Sequence, residues 1–273
     1  MAEDSPHPDS AVAAPDMAAI DVSVVAPAHN EAGNVEPLVQ EVEKALAGTG
    51  RSFEFVIVDD GSTDRTREEI SELMSARPWL RCVAMQNTPP GSGNGQSAAF
   101  HAGFRACRGA LIAVLDADLQ NDPGDIPAML QLMERESADL VQGDRSHARK
   151  DNFVKRRASE VGRLFRRVLL RDRVRDTGCS LRVMRREVAL GLPLRFKGMH
   201  RFIPVTARDL GFKVVEMPVT HRARHAGETK YGRLGITKRA IPGLIDCFAV
   251  IWMRSRRRPV ESVEVGRKET DAA

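Results

Sequence analysis

Cysteine, aromatic residues and long apolar runs are all scarce in this chain, and each scarcity removes a class of protein. Four of 273 residues are cysteine. Cys82, Cys107, Cys179 and Cys247 stand far apart with no CxxC pair, which excludes a zinc knuckle and a dense disulfide framework and points to a reducing compartment. One Tyr and two Trp offer few stacking platforms for single-stranded nucleic acid. The longest apolar stretch, Ala240 to Met253, is interrupted by Pro242 and Asp246 and falls short of the roughly 20 residues that span a bilayer. The N-terminus has acidic residues where a signal peptide has basic ones and no apolar core, so residues 1–20 are expected to form a flexible leader and 259–273 a flexible tail.

What is present is a chain that can fold. A hydrophobic content of 42% over 273 residues supports a sizeable core. The net charge is 41 − 37 = +4, yet residues 144–186 alone carry fifteen Lys/Arg against five Asp/Glu, a local excess of +10. That concentration suits an anionic partner, either a membrane surface or nucleic acid.

From Val22 onward, short β-branched runs alternate with longer amphipathic stretches. VSVVA (22–26) precedes 35–46, FEFVIV (53–58) precedes 64–75, LRCVAM (80–85) precedes 96–107, and ALIAVL (110–115) precedes 127–134. DLVQG (139–143) and Lys213 to Val219 are further strand candidates, and 153–170 reads as an amphipathic helix for a core or a membrane. The alternation predicts an α/β fold, a mostly parallel sheet flanked by helices, with ligands at the carboxyl ends of the strands. The chemically distinctive residues fall there: His29-Asn30-Glu31 after the first strand, Asp59-Asp60-Gly61 after the second, Asp116-Ala117-Asp118 after the fourth.

If the fourth strand stays extended for three more residues, Asp116 and Asp118 project to one side with Gln120 in the same register. Hard oxygen ligands in that pattern suit Mg²⁺ or Mn²⁺ completed by substrate phosphates; a solvated acidic turn is the competing reading. Asp60 can accept hydrogen bonds from a nucleobase or ribose, and Asp64 is a candidate helix N-cap. The glycines of 89–103 lack the third glycine of the dinucleotide fingerprint, because Gln96 occupies that place, and they follow the third strand rather than the first. The segment 221–232, HRARHAGETKYG, spaces His, Arg and Lys through a loop able to clamp a diphosphate, with a merely solvated basic face as the alternative.

Taken in order, PAHNE (27–31), VIVDDGSTDRT (56–66), LDADLQNDP (115–123), DTGCSLRVMRRE (176–187) and RARHAGETKYG (222–232) resemble the inverting family 2 glycosyltransferases of GT-A fold, specifically the polyprenyl-phosphate, dolichyl-phosphate mannose synthase-like branch. The resemblance runs from Asp21 to about Arg258. It implies a GT-A domain over 21–232 and a basic amphipathic segment over 233–258 that lies at the membrane interface or packs on the domain. It further implies that Pro27, His29, Glu31 and Asp60 meet the nucleotide, and that Asp116, Ala117, Asp118 and Gln120 form the donor and metal site, with Mg²⁺ or Mn²⁺. Arg145, Arg224 and Lys230 would hold the nucleotide and acceptor phosphates, and Asp176 would stand near the acceptor as a base or as an ion-pair partner.

The implied activity is hexose transfer from GDP-mannose or a UDP-sugar to a polyprenyl phosphate, dolichyl or undecaprenyl, with Asp118 catalytic. The enzyme would be cytoplasmic and peripherally bound to an anionic membrane, would serve the cell envelope, would work alongside a membrane partner protein, and would bind no nucleic acid. Mannose is favoured by the branch; glucose and N-acetylhexosamines stay open. His29 stands where the mannose synthases usually have an aromatic residue, and LQNDP replaces the commoner LQHPP or LQDPP. A family 2 enzyme with a soluble or envelope saccharide acceptor, a basic nucleic-acid-binding module and a phospho-acceptor signalling domain are the alternatives.

Overall fold

The computed structural model describes residues 20–89, 91–147, 164–222 and 235–258. Two compact units emerge. One comprises Met1–Lys150 and Val174–Glu228, the other Asp151–Arg173 and Thr229–Ala273.

The first unit is built on a seven-stranded sheet in the order β3-β2-β1-β4-β6-β5-β7. Its strands are β1 (Val22–Ala28), β2 (Phe53–Asp59), β3 (Leu80–Ala84), β4 (Leu111–Val114), β5 (Leu140–Asp144), β6 (Arg182–Arg185) and β7 (Val214–Pro218). β1, β2 and β4 are almost wholly buried, as their continuous apolar sequences require of central strands covered on both faces. All pairings are parallel except those of β6, which runs antiparallel to both β4 and β5. The mostly parallel sheet is therefore as expected. β6 has no counterpart among the strands predicted from the sequence.

The helices are α1 (Val35–Ala47), α2 (Thr66–Met74), α3 (Gln96–Ala106), α4 (Ile126–Arg135), α5 (164–170), α6 (Arg186–Gly191), α7 (Ile203–Asp209) and α8 (Gly235–Arg256). α1 buries Val35, Leu38, Val39, Val42 and Leu46, the spacing of one helical face, against the sheet core. α3 approaches the sheet closely because it has Gly103 there: a Cβ at that position would lie 2.7 Å from Val25 Cγ1 and 2.9 Å from Val58 Cγ2. The strand order reverses direction at β1, between β2 on one side and β4 on the other. That reversal is the topological switch point where open α/β sheets bind ligands.

In the second unit, α8 has one buried side at Cys247 and Val250 and one exposed apolar row at Ile245, Phe248 and Trp252. Arg254 Nη2 donates to the Leu170 carbonyl at 3.1 Å, capping the C-terminal turn of α5. α5 itself exposes Leu164, Phe165 and Val168 and buries Leu170. The remainder of the helix expected over 153–170 lies outside the described residues.

Candidate active site

Three loops after β1, β2 and β4 converge at the switch point. The first two are stitched together by their own short polar side chains. Asn30, at φ 58°, donates its N–H to Ser62 Oγ at 3.0 Å and accepts from Thr63 N–H at 2.8 Å. Glu31 N–H donates to Thr66 Oγ1 at 2.8 Å, and Asn34 Nδ2 donates to the Glu31 carboxylate at 2.8 Å. His29 Nδ1 lies 2.8 Å from the Asp60 carbonyl oxygen. Pro27 and His29 are each partly exposed at the end of β1.

The acidic pair after β2 divides its work. Asp59 is buried and receives Arg67 Nε at 2.7 Å and Ser62 N–H at 3.0 Å; burial opposes its charge, but these bonds hold its pKa below the usual carboxylate value. Asp60 is clasped by backbone: Asn94 N–H donates to Oδ1 at 2.8 Å and Gly95 N–H to Oδ2 at 2.7 Å. Gly93, at φ +62°, makes the clasp possible, since a Cβ there would sit 2.5 Å from Asp60 Oδ2. Asp64 is not the residue in N-cap position on α2, which is Arg65. Its carboxylate nevertheless accepts from Thr66 N–H at 3.0 Å in the first turn and from Ala32 N–H at 3.2 Å.

After β4 the extended register expected through Gln120 does not persist. The chain turns at 117–118, and Leu119 takes φ 60°, so Asp116, Asp118 and Gln120 are set by a turn rather than by strand alternation. Ala117 and Leu119 point into the core and anchor that turn. Asp118 Oδ1 accepts from Gln120 N–H at 3.2 Å. Asp116 is held by two neutral donors, Gln96 Nε2 on Oδ1 at 2.7 Å and Ser180 Oγ on Oδ2 at 2.5 Å. Burial and the nearby Asp118 push the Asp116 pKa upward, against the pull of the Ser180 bond. Among the described residues no group of three or more His, Cys, Asp or Glu side chains converges as an ion site. The two carboxylates and the Gln120 amide supply hard oxygens of the kind Mg²⁺ and Mn²⁺ take when substrate phosphates complete the shell, and among the described residues no arginine hydrogen-bonds Asp116.

Arg145 and Asp176 form a buried fork. Nε donates to Oδ2 at 2.9 Å, Nη2 to Oδ1 at 3.3 Å and the Arg145 N–H to Oδ2 at 3.3 Å. Asp176 is thus ion-paired, and its partner is Arg145. Beside it, Gln142 Nε2 bonds the carbonyls of Cys179 at 2.9 Å and Asp176 at 3.3 Å, fixing the 176–179 loop. Arg182 is 2% exposed, and no carboxylate pairs with it among the described residues; its Nη2 and Nη1 donate to the carbonyls of Cys179 and His200. Burial pushes its pKa down to about 10, which leaves it a cation at neutral pH.

The basic segment begins beside the Asp-x-Asp turn. Arg222 N–H donates to the Gln120 carbonyl at 2.9 Å, and Asn121 and His221 form a β-bridge. Arg222 itself is not a phosphate clamp: Nη1 bonds both Glu41 oxygens and Nη2 reaches Asp122 at 2.6 Å. Arg224 and Lys230 lie outside the described residues. The +10 stretch is likewise partly internal, because Arg145, Arg166 and Arg185 pair with Asp176, Asp172 and Asp139. Gln96, Ser180, Arg182 and His200 were not singled out by the sequence. Ser180 and Arg182 lie inside the 176–187 motif and Gln96 inside the glycine-rich stretch 89–103, whereas His200 lies in none of the motifs.

A sheet of this order, with an acidic turn at its switch point, defines a GT-A glycosyltransferase. The family model Glycosyl transferase family 2 matches residues 23–191, and the chain belongs to that family. The chain is 36% identical over 250 residues to the dodecaprenyl-phosphate galacturonate synthase of Rhizobium johnstonii, covering 88% of this chain and 69% of the relative. It is 34% identical over 235 residues to the undecaprenyl-phosphate 4-deoxy-4-formamido-L-arabinose transferase of Edwardsiella ictaluri, covering 86% and 70%. In fold it is similar to glucosyl-3-phosphoglycerate synthase from Mycobacterium tuberculosis, solved with Mn²⁺, UDP and glucosyl-3-phosphoglycerate, at TM-score 0.63 and 23% identity over 84% of this chain and 80% of that one.

Proposed function

We propose that this glycosyltransferase moves a sugar from a nucleoside diphosphate to a polyprenyl phosphate at a membrane surface, inverting the anomeric centre. One observation carries the reading: the buried carboxylate nearest to a base role, Asp176, is bonded in a fork to Arg145. A carboxylate so neutralised is a poor proton acceptor, and a sugar hydroxyl acceptor would need one. A phosphate monoester is already anionic and needs none. Two transferases similar in sequence carry polyprenyl phosphates in their names, which supports the same acceptor class.

In this mechanism a phosphate oxygen of the lipid attacks the anomeric carbon as the bond to the diphosphate breaks, and the nucleoside diphosphate leaves with the bonding pair. Asp116, Asp118 and Gln120 would hold Mg²⁺ or Mn²⁺, whose contribution is to neutralise charge developing on the diphosphate. Asp60, with Pro27, His29 and Glu31, faces the nucleoside. Arg145, Arg224 and Lys230 are assigned to the phosphates, Arg145 with Nε and Nη2 already engaged by Asp176 at the end of β5. Domain boundaries at 21–232 and 233–258 go with this assignment, the second segment being the membrane-facing one. The exposed apolar row of α8, followed by Arg254, Arg256, Arg257 and Arg258, suits an interfacial helix on anionic lipid at the cytoplasmic face. No helix among the described residues is long and apolar enough to cross a membrane.

The test is a donor screen with purified protein, Mg²⁺ or Mn²⁺, undecaprenyl or dolichyl phosphate in detergent, and a panel of GDP- and UDP-sugars, read by mass spectrometry. A single sugar-phosphate-lipid is the expected product. Nucleotide release with water-soluble acceptors and none with lipid would move the enzyme to the soluble-acceptor class.

A further inference from the structure

Asp116 is treated differently from most enclosed carboxylates of this chain. Glu54 is paired with Arg81, Asp59 with Arg67 and Asp176 with Arg145. Asp116 instead takes one neutral donor on each oxygen, Gln96 Nε2 and Ser180 Oγ, and Ser180 Oγ in turn accepts from Asn121 Nδ2 at 2.9 Å. Neutral donors fix the direction of a carboxylate's remaining lone pairs without neutralising it, whereas a guanidinium does both.

The place of Gln96 in the chain gives this bond its rigidity. Gln96 opens α3. The two residues before it donate their N–H groups to Asp60, and the residue after it, Ser97, accepts from the His200 N–H at 3.1 Å while lying 2.8 Å from His200 Nδ1. Four consecutive residues thus join the loop after β2, the turn after β4 and the 3-10 turn at Met199–Phe202. In the sequence, Gln96 did no more than spoil a dinucleotide fingerprint.

We infer that Gln96, seconded by Ser180, is a positioning residue for the cation site: it fixes the direction of the Asp116 carboxylate toward a divalent ion through neutral hydrogen bonds rather than an ion pair. The inference rests on the metal-dependent reading above and adds residues to it. Gln96 touches neither donor nor acceptor in this role, so its loss is a loss of ion affinity before it is a loss of turnover.

The experiment is Mn²⁺ titration of the metal-free full chain by electron paramagnetic resonance, with UDP and with GDP present. Gln96→Met keeps the volume and removes the donor; Ser180→Ala removes the other. Each is expected to weaken Mn²⁺ binding by ~10-fold or more, with the urea midpoint of the metal-free protein unchanged and much of kcat recovered at saturating Mn²⁺. Wild-type Mn²⁺ affinity in both variants overturns the inference and leaves the function reading standing. A lower urea midpoint in both, accompanying the lost affinity, also overturns it, since the residues would then be structural. Failure of the wild type to bind Mn²⁺ with either nucleotide removes the metal site itself, and the inference with it.

Discussion

Arg145 and Asp176 illustrate how burial changes the worth of a charge. Their side chains are 9% and 6% exposed, so removing either leaves an ion in a poorly solvated place. Asp176→Ala is expected to cost roughly 3–5 kcal/mol in urea unfolding, with part recovered in the double variant carrying Arg145→Met. A catalytic base would behave otherwise, abolishing turnover at wild-type stability. Asp118 is the opposite case: it sits partly exposed on a turn, so Asp118→Ala is expected to abolish transfer while the unfolding midpoint stays within the error of the measurement. Retention of most activity in Asp118→Ala with metal present would remove the Asp-x-Asp site from the mechanism.

At the scale of elements, the strands and helices are held by a few pairings that titrate and a few that pack. The carboxylates of Glu54 and Asp59 are desolvated, yet their hydrogen bonds and arginine partners keep both pKa values below their ordinary 4.5 and 3.8. A carboxylate with a depressed folded pKa stabilises above its unfolded value and ceases to as pH falls through the folded one. The unfolding free energy should therefore drop as pH falls below about 4.5, and Arg67→Met should lower stability at neutral pH while shrinking that acid-side drop; urea midpoints from pH 3 to 7 would show both. Gly103→Ala forces α3 off β1 and β2 and is expected to cost about 1–3 kcal/mol, read as a lower melting temperature.

The elements that the sequence made legible are those whose periodicity is strong. α1 announces itself through Val35, Leu38, Val39, Val42 and Leu46, and β1 and β2 through unbroken β-branched runs. β6 was illegible because its four residues are bounded by Arg182 and Arg185 and because Arg182 is buried, contrary to the usual fate of arginine. Its reversed direction is a property of pairing with β4 and β5, which no local pattern encodes. The site divides along the same line. Charged residues at strand ends, Asp60, Asp116 and Asp118, stand out by type and place, whereas Gln96 and Ser180 are neutral and meet Asp116 from 20 and 64 residues away. Arg222 looked like part of a clamp until its partners, Glu41 and Asp122, were in view.

For the whole molecule, the second unit makes membrane association measurable. Its exposed row Ile245, Phe248 and Trp252 lies along one side of α8, and α5 adds Leu164, Phe165 and Val168. The chain has two tryptophans. With Trp79→Phe, emission reports Trp252 alone and is expected to shift to the blue on vesicles containing anionic lipid, less so at high salt. No shift on either neutral or anionic vesicles would leave α8 without a membrane role.

The fork at Arg145 and Asp176 has a consequence for divergence. β5 ends at Asp144, and its antiparallel neighbour β6 starts at Arg182. Arg145, the residue after β5, and Asp176, six residues before β6, pair with each other beside the ends of those two strands. A segment fastened by such a pair can vary in length and sequence without disturbing the strands on either side, since lengthening a closed loop adds little entropy cost. A chain in which 146–175 is replaced by the corresponding stretch of a relative, with Arg145 and Asp176 kept, is therefore expected to keep the sheet, read as an unchanged melting temperature of the first unit.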